Sequence, residues 1–228
     1  MNHHPDVIVF DVNETLSDMS PLAERFSAVG APGALMQTWF AALLRDGFAL
    51  TAVGENAVFA EVGRGVLRGV LTPVATLNRE VEDAVEHVMS GFGELALHPD
   101  VADGLRLLGD AAIRMVTLTN GSTSLSQKMF ETAGVAHHFE RLLSVEDAGA
   151  WKPDRQAYAY AAEQCGTPLD AMLLIAVHPW DIDGAKRAGM QAAWLDRRGT
   201  PYPAHFTEPD LIGRTLDEVA TALIGGRG

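Results

Sequence analysis

Asp11 follows a short apolar run, Val7-Ile8-Val9-Phe10, and precedes Val12-Asn13-Glu14-Thr15-Leu16. A carboxylate in that place can serve as a nucleophile, a metal ligand or a helix cap. Three other stretches carry groups that could work with it. Thr119-Asn120-Gly121-Ser122 offers hydroxyls and an amide, Lys152-Pro153 an ammonium, and His178-Pro179-Trp180-Asp181 an imidazole and a second carboxylate. A carboxylate beside an ammonium stays ionised and can attack an electrophile. An imidazole titrates near neutral pH, so it can move a proton or donate to an anion. Each group also has a plain structural use. Thr119 and Ser122 could cap a helix, as could Asp181. Lys152 or His178 alone says little. Their joint order and spacing carry the chemistry.

Such groups need strand ends to hold them. Val7–Phe10 is short, β-branched and aromatic, and polar residues close it, so it predicts a buried strand with Asp11 at its carboxyl end. Ile113–Leu118, Arg141–Ser144, Met172–Val177 and Gln191–Leu195 predict further strands, and Asp210–Ile212 a last one. Between them the pattern predicts helices over Val101–Leu108, Ser124–Ala133, Asp154–Cys165, Ile182–Ala188 and Leu216–Ile224. Gly134 and Gly189 stand where helix ends favour glycine. Alternation of this kind means right-handed βαβ units around a parallel sheet, with the strand ends converging on one crevice. From Pro21 to Leu97 the period is helical throughout, without convincing strands. Leu35, Met36, Trp39, Phe40, Leu43 and Leu44 mark one helix, and Val58, Val62, Val66 and Val70 a second, weakened by Gly63, Gly65 and Gly69. A third is predicted over Thr76–Met89. Trp39 and Phe40 could pack within this segment, line a pocket or form a homodimer interface, with packing the default reading.

Bulk properties remove several classes of function. Of 228 residues, 47% are apolar and 21% charged, which suits a folded domain with room for one insertion. Seventeen basic against 30 acidic residues give a formal charge of −13, which repels nucleic acid and anionic lipid. No run approaches the length of a membrane span. One cysteine, Cys165, excludes an internal disulfide. Met1-Asn2-His3-His4-Pro5 lacks the basic start of a secretory leader, and its two histidines have no partners for a metal. A cytoplasmic protein is expected.

Taken together, Asp11-Val12-Asn13-Glu14-Thr15-Leu16, Leu118-Thr119-Asn120-Gly121-Ser122, Lys152-Pro153 with Tyr158, and Trp180 to Gly189 resemble the four motifs of the haloacid dehalogenase superfamily, in order, over nearly the whole chain. The resemblance implies an α/β fold. Its HAD-like Rossmannoid parallel-sheet core would span residues 1–16 and 98–228, with a helical cap subdomain inserted at 17–97. Within the superfamily, Lys152-Pro153-Asp154-Arg155-Gln156-Ala157-Tyr158 and Trp180-Asp181 are similar to the L-2-haloacid dehalogenase branch. That branch implies a hydrolase of short 2-haloacids that needs no cofactor or metal. Asp11 would form an ester with the substrate carbon and release halide, and water would then free a 2-hydroxyacid. Lys152 would hold Asp11 ionised, Asp181 would position Lys152 and the water, and Thr15 and Asn120 would bond carboxylate oxygens. Thr119, His178, Tyr158 and Val12 would line the substrate site.

Two other readings stay open: a Mg²⁺-dependent phosphatase, and a protein that binds a carboxylate or a partner without turnover. The phosphatase branch needs an acid where Asn13 stands and a second acid where Val177 stands, and neither residue supplies one. The dehalogenase branch carries a halide-binding arginine early in its first cap helix. Here the stretch around Ala31-Pro32-Gly33 has none, which leaves Arg45 and Trp39 as candidates. Ala176 and His178 stand where the branch has serine and asparagine.

Overall fold

The computed structural model describes residues 4–226; His3, half of the His3-His4 pair, lies outside them. Six strands form one parallel sheet in the order β5-β4-β1-β6-β7-β8. They are β1 (Val7–Phe10), β4 (Arg114–Thr119), β5 (Arg141–Ser144), β6 (Met172–Ala176), β7 (Gln191–Leu195) and β8 (Leu211–Gly213). β1 lies between β4 and β6, with Phe10 opposite Thr117 on one side and Ile175 on the other. The chain fills the sheet outward from β1 through β4 to β5, then from β6 to β8. The strand order therefore reverses beside β1, and a crevice opens there at the carboxyl ends.

The side chains of β1 alternate between two cores. Val7 and Val9 enter one, and Ile8 and Phe10 the other. Helices α5 (Val101–Asp110), α6 (Thr123–Thr132) and α10 (Leu216–Gly225) cover the Ile8/Phe10 face. On the opposite face lie α8 (Arg155–Cys165) and α9 (Pro179–Ala188). A short α7 (Val145–Ala148) follows β5. Gly104 of α5 lets α10 approach closely, because a Cβ there would lie 2.4 Å from Leu216 Cγ. Gly104→Ala is therefore expected to destabilise by about 1–3 kcal/mol from overpacking, although alanine favours a helix by up to about 1 kcal/mol. Urea unfolding checks this, and a more stable variant contradicts it.

Four helices stand between β1 and β4: α1 (Leu22–Ala28), α2 (Leu35–Ala52), α3 (Phe59–Leu71) and α4 (Val81–Ser90). The segment leaves and rejoins the core through a two-stranded antiparallel ladder, β2 (Ser17–Asp18) with β3 (Ala96–Leu97). Sequence periodicity missed α1, α7 and this ladder, since two-residue strands show no period. The glycines of α3 do not break it; Gly63 packs against Leu43 and Met89. The helix predicted over Thr76–Met89 begins only at Val81. Its expected first turn instead bonds back to the end of α1. Thr76 Oγ1 donates to Gly30 O at 2.6 Å, and Asn78 N donates to Val29 O at 3.1 Å. Gly30 has φ +86° and touches that segment so closely that only glycine fits. Trp39 and Phe40 are buried in packing, so neither offers a dimer face. Trp39 meets Phe26 and Phe92 and donates its indole N–H to Gly63 O at 3.0 Å.

Candidate active site

Asp11 continues the strand register by one bond, its N–H donating to Ile175 O at 3.1 Å. Beyond it the chain turns sharply. Leu16 N and Ser17 N both donate to Val12 O, and Glu14 takes the left-handed conformation at φ 61°. That conformation costs a non-glycine residue on the order of 1–2 kcal/mol. The turn folds Thr15 back over Asp11. Thr15 Oγ1 donates to Asp11 Oδ2 at 2.5 Å and accepts the N–H of Val177 at 3.1 Å. With its lone pair engaged by the amide, the hydroxyl proton points at the carboxylate.

Lys152 is fully buried and lies between two carboxylates. Its Nζ donates to Asp11 Oδ1 at 2.8 Å and to Asp181 Oδ2 at 2.6 Å. Asp181 sits in the first turn of α9, and its Oδ1 accepts the Tyr158 hydroxyl at 2.6 Å. Burial works to raise the Asp11 pKa, but the Lys152 ammonium overcomes it and holds the group below 3.8. Asp181 is held above its usual value by burial and by the neighbouring charge of Asp11, against the pull of Lys152. Burial disfavours the Lys152 ammonium, yet the two carboxylates raise its pKa above 10.5. Burial and Asp181 also push the Tyr158 hydroxyl well above its usual range, so it remains a donor.

Two predicted roles change in the structure. Asn120 bonds the backbone of Lys152 through both amide atoms, Oδ1 accepting the Lys152 N–H at 3.0 Å and Nδ2 donating to Lys152 O at 3.3 Å. It holds the lysine, where a bond to the Asp11 carboxylate was expected. Tyr158 lies fully buried behind Asp181, so it orients that carboxylate instead of lining a substrate site. Thr119 is buried at its strand end, where Oγ1 accepts the Gly121 N–H at 3.0 Å. Ser122, not Thr119, caps α6. The Val12 side chain packs in the core while its carbonyl closes the turn. His178 Nε2 lies 3.2 Å from Asn13 O and 3.7 Å from both Asp11 Oδ2 and Glu14 Oε2. A carbonyl only accepts, so Nε2 carries a proton toward these oxygens. The imidazole stacks on Trp180, with ring centroids 5.0 Å apart.

Neither halide candidate reaches this cluster. The Arg45 side chain is 72% exposed and pairs with Asp46, and the indole N–H of Trp39 is already bonded to Gly63. Arg197, outside the four motifs, also reaches the site. Its guanidinium donates to Thr15 O at 2.9 Å and to Asp100 Oδ1 at 2.8 Å, which braces the turn after Asp11. A usable signal was present, because Asp196-Arg197-Arg198 follow the carboxyl end of β7 in the same sheet. Arg197 and Arg198 help line a cleft of about 430 Å³ that meets Glu14, Met36, Gln37 and His178. A smaller space of about 30 Å³ opens beside Val12, Asn13, Thr119, Phe59 and Phe92.

The arrangement suits an ionised buried nucleophile with a protonated neighbour. It does not suit Mg²⁺. A divalent ion needs several oxygen ligands. The Lys152 ammonium already spans Asp11 and Asp181, Val177 offers no side-chain oxygen, and the described residues contain no group of three or more His, Cys, Asp or Glu placed for a metal.

Residues 5–189 match the family of haloacid dehalogenase-like hydrolases. The chain belongs to that family. Among relatives of this haloacid dehalogenase-like hydrolase, an (S)-2-haloacid dehalogenase of Pseudomonas putida is 27% identical over 225 residues, covering 95% of this chain and 97% of the other. A haloacetate dehalogenase of Moraxella sp. is 34% identical over 121 residues, 53% of this chain; the match spans only about half of that protein, 54%. An L-2-haloacid dehalogenase of Xanthobacter autotrophicus, solved with chloropropionic acid covalently bound, superposes with a TM-score of 0.83 at 23% identity, covering 98% of this chain and 100% of that one. At that identity the likeness shows the fold.

Proposed function

We propose that this hydrolase opens the carbon–halogen bond of short 2-haloacids through an ester on Asp11. The reading rests on a buried carboxylate held ionised by Lys152 at 2.8 Å and aligned by Thr15 at 2.5 Å. An Asp11 oxygen attacks the α-carbon from behind, and halide leaves with the bonding pair and needs no proton. Attack from behind inverts the carbon. Water then adds to the Asp11 carbonyl carbon, and the tetrahedral adduct collapses to carboxylate and 2-hydroxyacid. Esterification removes the negative charge of Asp11, which had been raising the Asp181 pKa. Asp181, oriented by Tyr158, accepts the water proton. The Nε2–H of His178, facing the oxygens of Asn13, Asp11 and Glu14, is placed to donate to a substrate carboxylate, which favours an anion-binding role over that of a base. Residues 17–97 act as the cap over this crevice and residues 1–16 and 98–228 as the core, a division supported by the β2–β3 ladder at the base of the helical segment. Among the described residues no helix is long and apolar enough to cross a membrane. With its one cysteine unpaired, we place the protein in the cytoplasm.

One turnover with enzyme in excess, run in H₂¹⁸O on 2-chloropropionate, tests the route. The peptide containing Asp11 should gain the heavy oxygen. Label in the hydroxyacid with none at Asp11 would mean that water attacks the carbon directly, and would overturn the ester.

The depressed Asp11 pKa has a signed consequence. Halide release needs the ionised carboxylate, and its folded pKa lies below 3.8. The single-turnover rate should therefore hold as pH falls to about 4 and drop only below it. Rapid-mixing halide measurements read this limb, and a midpoint near 5 or above contradicts it.

A further inference from the structure

Trp151 immediately precedes Lys152 and is fully buried, but its contacts lie in the helical segment between β1 and β4. Its backbone N–H donates to Thr51 Oγ1 of α2 at 3.1 Å. Its indole N–H donates to Ala57 O, just before α3, at 2.9 Å. The ring stacks on Phe59, with centroids 5.8 Å apart and planes 19° from parallel. The ring edge also presses on Gly47 of α2, where an added Cβ would lie 2.3 Å from Trp151 Cε3. Gly47 and Thr51 are one helical turn apart, so one face of α2 grips both the ring and the backbone. On the core side, Asn120 bonds the Lys152 backbone through both amide atoms.

We infer that Trp151 is the positioning residue for Lys152: α2 and α3, through Gly47, Thr51, Ala57 and Phe59, set where the ammonium stands relative to Asp11. This rests on the reading that Lys152 serves an Asp11 nucleophile. A lysine side chain is long and flexible, so its reach is defined only if its backbone is clamped. Asn120 supplies one clamp from the core and Trp151 the other from the helices. Displacement of the backbone by an ångström would break a 2.8 Å contact and cost far more rate than a surface change.

The test uses Gly47→Ala, Trp151→Leu, their combination, Thr51→Ala and Thr51→Ser in the full chain. Two readouts are taken: halide release from 2-chloropropionate, and the Asp11 titration followed by ¹³C-carboxyl NMR. Gly47→Ala should lower kcat by about tenfold or more with KM little changed, and should move the Asp11 midpoint upward as its ammonium withdraws. In the Trp151→Leu background the same change should add little, since neighbouring sites couple. Thr51→Ala should show a smaller loss in the same direction, and Thr51→Ser should restore both readouts. An unmoved Asp11 midpoint in folded Gly47→Ala overturns the inference, even if rate is lost, because a merely structural defect would leave that midpoint alone. If Gly47→Ala does not fold, an unmoved midpoint in Thr51→Ala overturns it. Absence of halide release from the unmodified protein would instead overturn the activity, while the titration still judges Trp151.

Discussion

Asp11→Asn is expected to abolish halide release from 2-chloropropionate, with a loss of about 10⁴-fold or more. The amide nearly matches the carboxylate in size but carries no charge, so its oxygen is a poor nucleophile. Lys152 keeps Asp181 as a partner at 2.6 Å, so the buried ammonium is not stranded. The variant should therefore stay folded. Chloride measurement beside far-ultraviolet circular dichroism checks both halves. A folded variant with appreciable activity would show that Asp11 is not the attacking group.

Lys152→Met should fail in two ways. Methionine fills similar volume without charge. Asp11 and Asp181 would then face each other, almost fully buried, with no cation between them. Stranding buried charge costs about 3–5 kcal/mol near neutral pH. The sign of its pH dependence is definite. Without the ammonium, the folded pKa of one carboxyl rises above its unfolded value, so the penalty is full above the folded pKa and fades as acid protonates the pair. Urea unfolding should show a large deficit at pH 7 that shrinks toward pH 4. Halide release should fall by about 10³-fold or more, since Asp11 then loses the ammonium that holds it ionised and keeps the Thr15 hydroxyl as its hydrogen-bond donor. Equal stability to the parent at pH 7 would contradict the shared-ammonium geometry.

Much of this site was legible because Asp11 sits directly beyond β1 and the other groups follow β1, β5 or β6 within the next turn or helix. Asp11, Thr15, Lys152, His178 and Asp181 were placed by that pattern, and the structure brings them together. The sheet was legible for the same reason: β5 and β7 have the bounds their residues predict. Less visible was what each polar group bonds. Nothing local distinguishes an asparagine that touches a carboxylate from one that holds a neighbouring backbone, so the Lys152 backbone as the partner of Asn120 is not legible in the sequence. The partner of Tyr158 is hidden likewise, because its register on α8 does not reveal that Asp181 covers its hydroxyl. The contacts of Trp151 with Thr51 and Ala57 join residues about a hundred positions apart, and no periodicity encodes them. Arg197 bonds a backbone carbonyl, an acceptor that every residue owns.

The shared lysine implies a charge cycle. One cation against two anions gives the Lys152–Asp11–Asp181 cluster a net charge of −1, and in the proposed route alkylation of Asp11 would bring it to neutrality. The incoming acid anion thus meets repulsion that vanishes once its carbon is captured. Hydrolysis restores the repulsion while the new hydroxyacid anion still lies alongside. The step that frees the product also drives it out, so the crevice clears itself electrostatically, and added product should be a weak inhibitor.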